Sequence, residues 1–310
     1  MSNLTVKIGE NGQYGFVDKS NNWVIEPRFD VAWDFEDGIA IVGLNGYYGY
    51  IKIDGSYLVK PQFDNADPFD SNNIAQVLLN GKFGWIKADG SYLFKPQFDD
   101  AWSFEASCIK DCPSNITRVL LHGKYGWIKS DGSYLFKPHF DLAWEFEKGI
   151  ALVTLNGRDG YIKTDGSYLF KPQFDQAELF FHNGFARVEV GGKWGIVKND
   201  GSFLVKPRFD SIGWIEAEDI FSGVEDDPIF CGGFAPVKLD GKYGFIKSDG
   251  SYLVNCIFEH VEPFENGFAK VFLEGKWYNV TTSGKIIPSN DKGIDPRFPR
   301  NMQACYPSRL

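Results

Sequence analysis

Eight copies of one phrase occupy almost the whole chain, which points to a stack of small modules rather than a single enzyme domain. The phrase is clearest as GKYGWIKSDGSYLFKPHFD, Gly123 to Asp141. It returns from Gly46 to Asp64, Gly81 to Asp99, Gly157 to Asp175, Gly192 to Asp210 and Gly241 to Glu259. Looser copies run from Gly12 to Asp30 and from Gly275 to Pro288. The array therefore spans 1–288, with insertions near 106–115 and 216–231, and a tail follows at 289–310.

Within a module the residues read as strands. Ala40, Val42 and Leu44 alternate before Asn45-Gly46, a pair that makes a tight hairpin. Tyr48 and Tyr50 then share one face of the next strand, with Gly49 and Ile51 on the other. Asp54-Gly55 turns the chain again, and Tyr57, Val59, Pro61 and Phe63 alternate along a last strand, which its proline marks as a sheet edge. This register puts Leu58 with Ala40, Val42 and Ile51, and Tyr57 with Tyr48 and Tyr50. Both faces are largely apolar, so the aromatic face of each module is expected to cover the aliphatic face of the next. The recurrent glycine of Gly84 or Gly126 leaves room for a close approach.

A short segment follows each last strand: VAWDF (Val31 to Phe35), NADPF, DAWSF, LAWEF, QAELF and HVEPF. As brief inner strands these give four strands per unit. The fold class is all-β, about eight antiparallel β-meander modules closed as a β-propeller, with an open β-solenoid-like superhelical stack as the alternative. The tail (GIDPRFPRNMQACYP, Gly293 to Pro307) is either a ring-closing strand or a cap.

The combination G-K-[WYF]-G-[FYWI]-[IV], a DG turn, and a strand closing on P-x-[FY]-D resembles the WG repeat family, also called KWG repeats, known mainly from bacteria. Here it stands as Gly81-Lys82-Phe83-Gly84-Trp85-Ile86 with Pro96-Gln97-Phe98-Asp99. The literal WG pair occurs at Trp194-Gly195, and the last copy departs, with Tyr278 in place of the glycine. The resemblance implies a β-rich repeat used for binding and carries over no catalytic residues.

Chemistry-bearing motifs are sparse. The sequence contains no HExxH, no GxSxG and no Cys-x-x-Cys, and its glycines punctuate hairpins instead of opening helices. Neither a metal nor a cofactor is called for, and the chain is expected not to be an enzyme. A net charge of −9 argues against nucleic acid, and no run of about 18 apolar residues offers a membrane span. Five cysteines without even spacing read as reduced thiols. The start, MSNLTVKIGENG, lacks the basic-then-apolar stretch of a secretory signal, so a cytoplasmic location is expected.

Function is sought where the modules differ. Two residues before the constant phenylalanine stand Trp33, Trp102 and Trp144 in three units, and Asp67, Glu178 and Glu262 in others. A position that accepts a carboxylate is costly to bury unpaired, so these tryptophans are candidate exposed contacts. The second insertion supplies Glu216, Glu218, Asp219, Glu225, Asp226 and Asp227 with no basic residue, an acidic loop suited to a basic partner. The expectation is a non-catalytic scaffold for a protein partner. The alternative is a repeat that binds glycan or a small ligand through exposed aromatics.

Overall fold

The computed structural model describes residues 4–104, 115–180, 183–213 and 229–289. All of the regular structure in them is antiparallel β: seven four-stranded sheets and one three-stranded sheet, each a meander in chain order. The three-stranded sheet is Thr5–Ile8, Tyr14–Val17 and Trp23–Phe29. The next sheet, Val31–Ala32, Ile39–Leu44, Tyr47–Lys52 and Tyr57–Phe63, sets the pattern that the rest follow. In chain order these are its first to fourth strands, and among the described residues the three-stranded sheet has no counterpart of the first. By contact density the chain divides into two compact units, Met1–Asn156 with Lys163–Ser167, and Gly157–Ile162 with Tyr168–Leu310.

Turn chemistry fixes these boundaries. Asn45 and Gly46 both adopt positive φ (52° and 79°), the type I′ geometry whose twist matches the flanking strands. At the second turn, the amide and hydroxyl of Ser56 donate to Asp54 Oδ1 at 2.9 and 2.6 Å. The same amide–carboxylate contact recurs at Asp89, Asp131, Asp165, Asp200 and Asp249. Hydrogen bonds from the serine side chains hold these carboxyls below the ordinary range, Asp200 at about 2. A carboxyl whose pKa is lower folded than unfolded adds stability above its unfolded value, about 3.9, and loses that contribution as pH falls through its folded value. The contribution of these aspartates should therefore be lost, and the melting temperature fall, between about pH 4 and 2. Circular dichroism melts across that range, repeated with Asp200→Asn, test this; an unchanged slope in the variant would remove Asp200 from the effect.

The fourth strand does not keep simple alternation. Tyr48 pairs with Phe63, Tyr50 with Val59 and Ile51 with Tyr57, so two irregularities fall within a few residues. The register expected from the sequence is corrected here: Tyr57 packs with Ala40, Val42 and Ile51, and Leu58 with Tyr50 and Phe63. A bulge inserts an extra residue and turns those after it to the opposite face. It lies where the fourth strand passes over the third-strand glycine. A Cβ on Gly49 would sit 2.5 Å from Val59 O and 2.6 Å from Pro61 N.

Neighbouring sheets pack aromatic on aliphatic face. Phe16, Ile25 and Phe29 of the first sheet meet Ala40, Val42 and Ile51 of the second. Tyr50 and Phe63 meet Ala75, Val77 and Ile86, and Trp85, Phe94 and Phe98 meet Val119 and Ile128. In the second unit Ile196, Val205 and Phe209 meet Ala235, Val237 and Ile246, and Phe245 and Phe258 meet Ala269, Val271 and Val280. Each constant phenylalanine reaches back onto the third-strand residue of the preceding sheet: Phe35 onto Phe16 at 4.7 Å, Phe69 onto Tyr50 at 5.1 Å, Phe104 onto Trp85 at 5.9 Å, Phe146 onto Trp127 at 5.5 Å.

Polar bridges follow the same rhythm. The aspartate of P-x-F-D binds the lysine of its own module, as in Lys82–Asp99 and Lys124–Asp141, and Arg158–Asp175 repeats the pair. Its other oxygen accepts the amide of the following hairpin turn, Asn45 on Asp30 at 2.7 Å and His122 on Asp99 at 2.5 Å. One carboxylate thus ties two sheets together.

Candidate functional site

The variable position, one residue past the first strand, lies across from the third residue of the second strand, joined by one backbone bond. Trp33 N donates to Ile41 O (3.1 Å), Asp67 N to Gln76 O (3.0 Å), Trp102 N to Arg118 O (3.3 Å), Trp144 N to Leu152 O (3.0 Å) and Glu178 N to Arg187 O (3.0 Å). Residues placed this way face each other across the ladder, and their side chains choose one another. Tryptophan meets an aliphatic residue or an arginine, and glutamate meets an arginine.

That pairing explains how one position takes either a tryptophan or a carboxylate. Glu178 is only 12% exposed, and its Oε2 accepts the Arg187 Nε at 2.7 Å, with Arg187 itself 3% exposed. Arg187 also donates to Ile212 O of the next sheet at 3.0 Å. Arg118 makes the same reach to Ala143 O and pairs with Glu145 at 2.9 Å, while Gln76 reaches Ala101 O at 3.3 Å. Burial raises the Glu145 carboxyl, against the pull of Arg118, and burial raises Asp67. Arg118 and Arg187 lie outside the repeated motif. Their signal is a basic residue in ITRV and FARV where IAIV and IALV stand elsewhere.

The three tryptophans are not equivalent. Trp33 is 46% exposed, its ring 5.9 Å from that of Tyr48, two residues along from the exposed Val31. Gly43 pairs with Tyr48 and carries no side chain to lift off the sheet. Trp102 is half-buried, and the Arg118 guanidinium lies 4.0 Å over its ring, a cation–π contact that occupies the face. Thr117 Oγ1 donates to the Trp102 carbonyl at 2.6 Å. Trp144 is half-buried next to the exposed Leu142. Glu216, Glu218, Asp219, Glu225, Asp226 and Asp227 lie outside the described residues, as do the first insertion's cysteines and the tail.

Elsewhere a shallow depression is lined by Leu79, Asn80, Lys82, Tyr92, Lys95 and Pro96, where Lys82 is committed to Asp99. Among the described residues no group of three or more His, Cys, Asp or Glu side chains is placed to hold a metal ion, and no helix is long and apolar enough to cross a membrane.

A family model described as WG containing repeat matches seven segments: 14–48, 48–83, 83–108, 125–158, 160–194, 194–218 and 243–277. No curated protein matches the chain. Among solved structures, Hsv2 from Kluyvelomyces marxianus is 10% identical, covers 78% of this chain and 88% of its own, and has a TM-score of 0.28. AztD from Citrobacter koseri is 11% identical, covers 93% and 79%, and has a TM-score of 0.25. Similarity at that level transfers nothing about what this chain binds.

Proposed function

We propose, from the premise that this chain belongs to the WG-containing repeat family, that it is a non-catalytic binding scaffold whose contact surface for a protein partner centres on Trp33. The observation that carries this reading is the open face of Trp33, 46% exposed and backed by Tyr48. Exposed tryptophan supplies a large contact area at little conformational cost and is enriched where binding energy concentrates. Asp30, Asp34, Glu36 and Asp37 flank it along the chain, all exposed, which favours a partner with basic residues beside its apolar ones.

Trp33→Ala should cost less than about 1 kcal/mol of stability, the range of surface substitutions. It should abolish recovery of a stoichiometric partner when the tagged chain is isolated from its own cells and co-purifying proteins are identified by mass spectrometry. Undiminished recovery by the variant would remove Trp33 from the contact. If instead the bare chain is recovered, and calorimetry shows saturable binding of a glycan or choline that Trp33→Ala abolishes, the small-ligand reading replaces the protein-partner one.

A further inference from the structure

The fourth strand ends each sheet, and in most modules it is closed to strand addition by two residues. Pro27, Pro61, Pro96, Pro138, Pro172 and Pro207 stand where it passes the third-strand glycine. An exposed lysine precedes five of them: Lys60, Lys95, Lys137, Lys171 and Lys206. Proline removes a backbone donor and lysine places a charge on the edge, the devices by which native sheets avoid pairing with other chains.

The strand Tyr252–Phe258 has lost both. It carries Asn255-Cys256 and adds Ile257, 40% exposed, where its siblings carry Gln62, Gln97, His139 or Gln173. Proline is not needed for the crossing itself. A Cβ on Gly244 would lie 2.7 Å from both Val254 O and Asn255 C, as tight as in the proline-bearing modules. The proline's remaining role is at the edge, and here that role is vacant. Among the described residues Tyr252–Phe258 pairs with Lys242–Lys247 on one side and is the last strand of its sheet.

We propose that this edge is the surface on which the chain pairs with a second copy of itself, strand Tyr252–Phe258 against its counterpart, antiparallel. Two features select a copy as the occupant. A two-fold pair uses the same strand twice, so it forms only where a strand tolerates its own image. The lysine-bearing edges would set like charges against each other, whereas Asn255 is neutral and each copy brings an exposed Ile257 to the contact. The contact is small, so association is weak. It is independent of Trp33.

Sedimentation velocity of the full chain under reducing conditions tests this, with the double substitution Asn255→Lys and Cys256→Pro. That variant restores the residue pair carried by five sibling strands and should keep the melting temperature. The expected result is a concentration-dependent dimer in the wild type, weakened at least tenfold in the variant. Ile257→Arg, which places at an exposed position the residue its siblings carry at Arg28 and Arg208, should weaken it likewise and serves if the double variant fails to fold. A wild-type chain that stays monomeric through the millimolar range overturns the proposal. So does a dimer equally strong in the variants, which would lie on another surface.

Discussion

Gly126→Ala should destabilise the fold by about 3 kcal/mol, the upper part of the range for forcing atoms into a filled site. The new Cβ would stand 2.6 Å from Phe136 O and 2.6 Å from Pro138 N, both backbone atoms of the crossing fourth strand. A flexible side chain would yield at that distance. A strand pinned by Phe136 against Trp127 and by Phe140 against Tyr125 has nowhere to retreat. Gly43→Ala is the control, because its Cβ would meet only side chains, Val31 Cβ at 3.2 Å and Tyr48 Cε1 at 3.4 Å. Urea unfolding followed by tryptophan fluorescence should show a large loss for Gly126→Ala and less than about 1 kcal/mol for Gly43→Ala. Equal losses would show that the crossing is not the constraint.

Arg187→Met should cost about 3–5 kcal/mol, the penalty for removing one partner of a buried ion pair. The substitution keeps most of the aliphatic stem but takes the guanidinium away from the largely buried Glu178, and takes the Nη1 donor away from Ile212 O. The second change, Glu178→Leu, should recover most of the loss, because two apolar residues facing each other reproduce the Trp144–Leu152 type of pair found in a sibling sheet. A double-mutant cycle reads the coupling directly. If the double variant is as unstable as the sum of the single ones, the two residues do not act as a pair.

Much of this architecture was legible in the residues because the module repeats and each turn announces itself. Asn45-Gly46 and Asp54-Gly55 mark hairpins through chemistry that acts over a few residues, and the aromatic-on-aliphatic packing follows from two apolar faces with no polar side to spare. The exchange of Tyr57 and Leu58 between faces was hidden, since a bulge breaks the two-residue period without a residue type that signals it. The partners of the variable position were hidden for another reason. Trp102 meets Arg118 only after an insertion, and Glu178 meets Arg187 across a connection, so the pairing depends on register and not on spacing. At Glu178 the charge has a partner in Arg187, so accepting a carboxylate does not by itself mark the position as exposed.

The aspartate that closes each motif belongs to two sheets at once, and this sets where the chain can be divided. A fragment ended at Asp99 keeps the Lys82 pair but leaves Asp99 Oδ2 without the His122 amide, and leaves Trp85, Phe94 and Phe98 without Val119 and Ile128 to cover them. The smallest piece that retains all these contacts runs past the next hairpin, into Lys124–Lys129. The genetic period and the mechanical period of this protein are therefore out of phase. A duplication or deletion preserves the structure when it spans one full repeat length from any starting point, and injures it when it follows the written motif and removes only that.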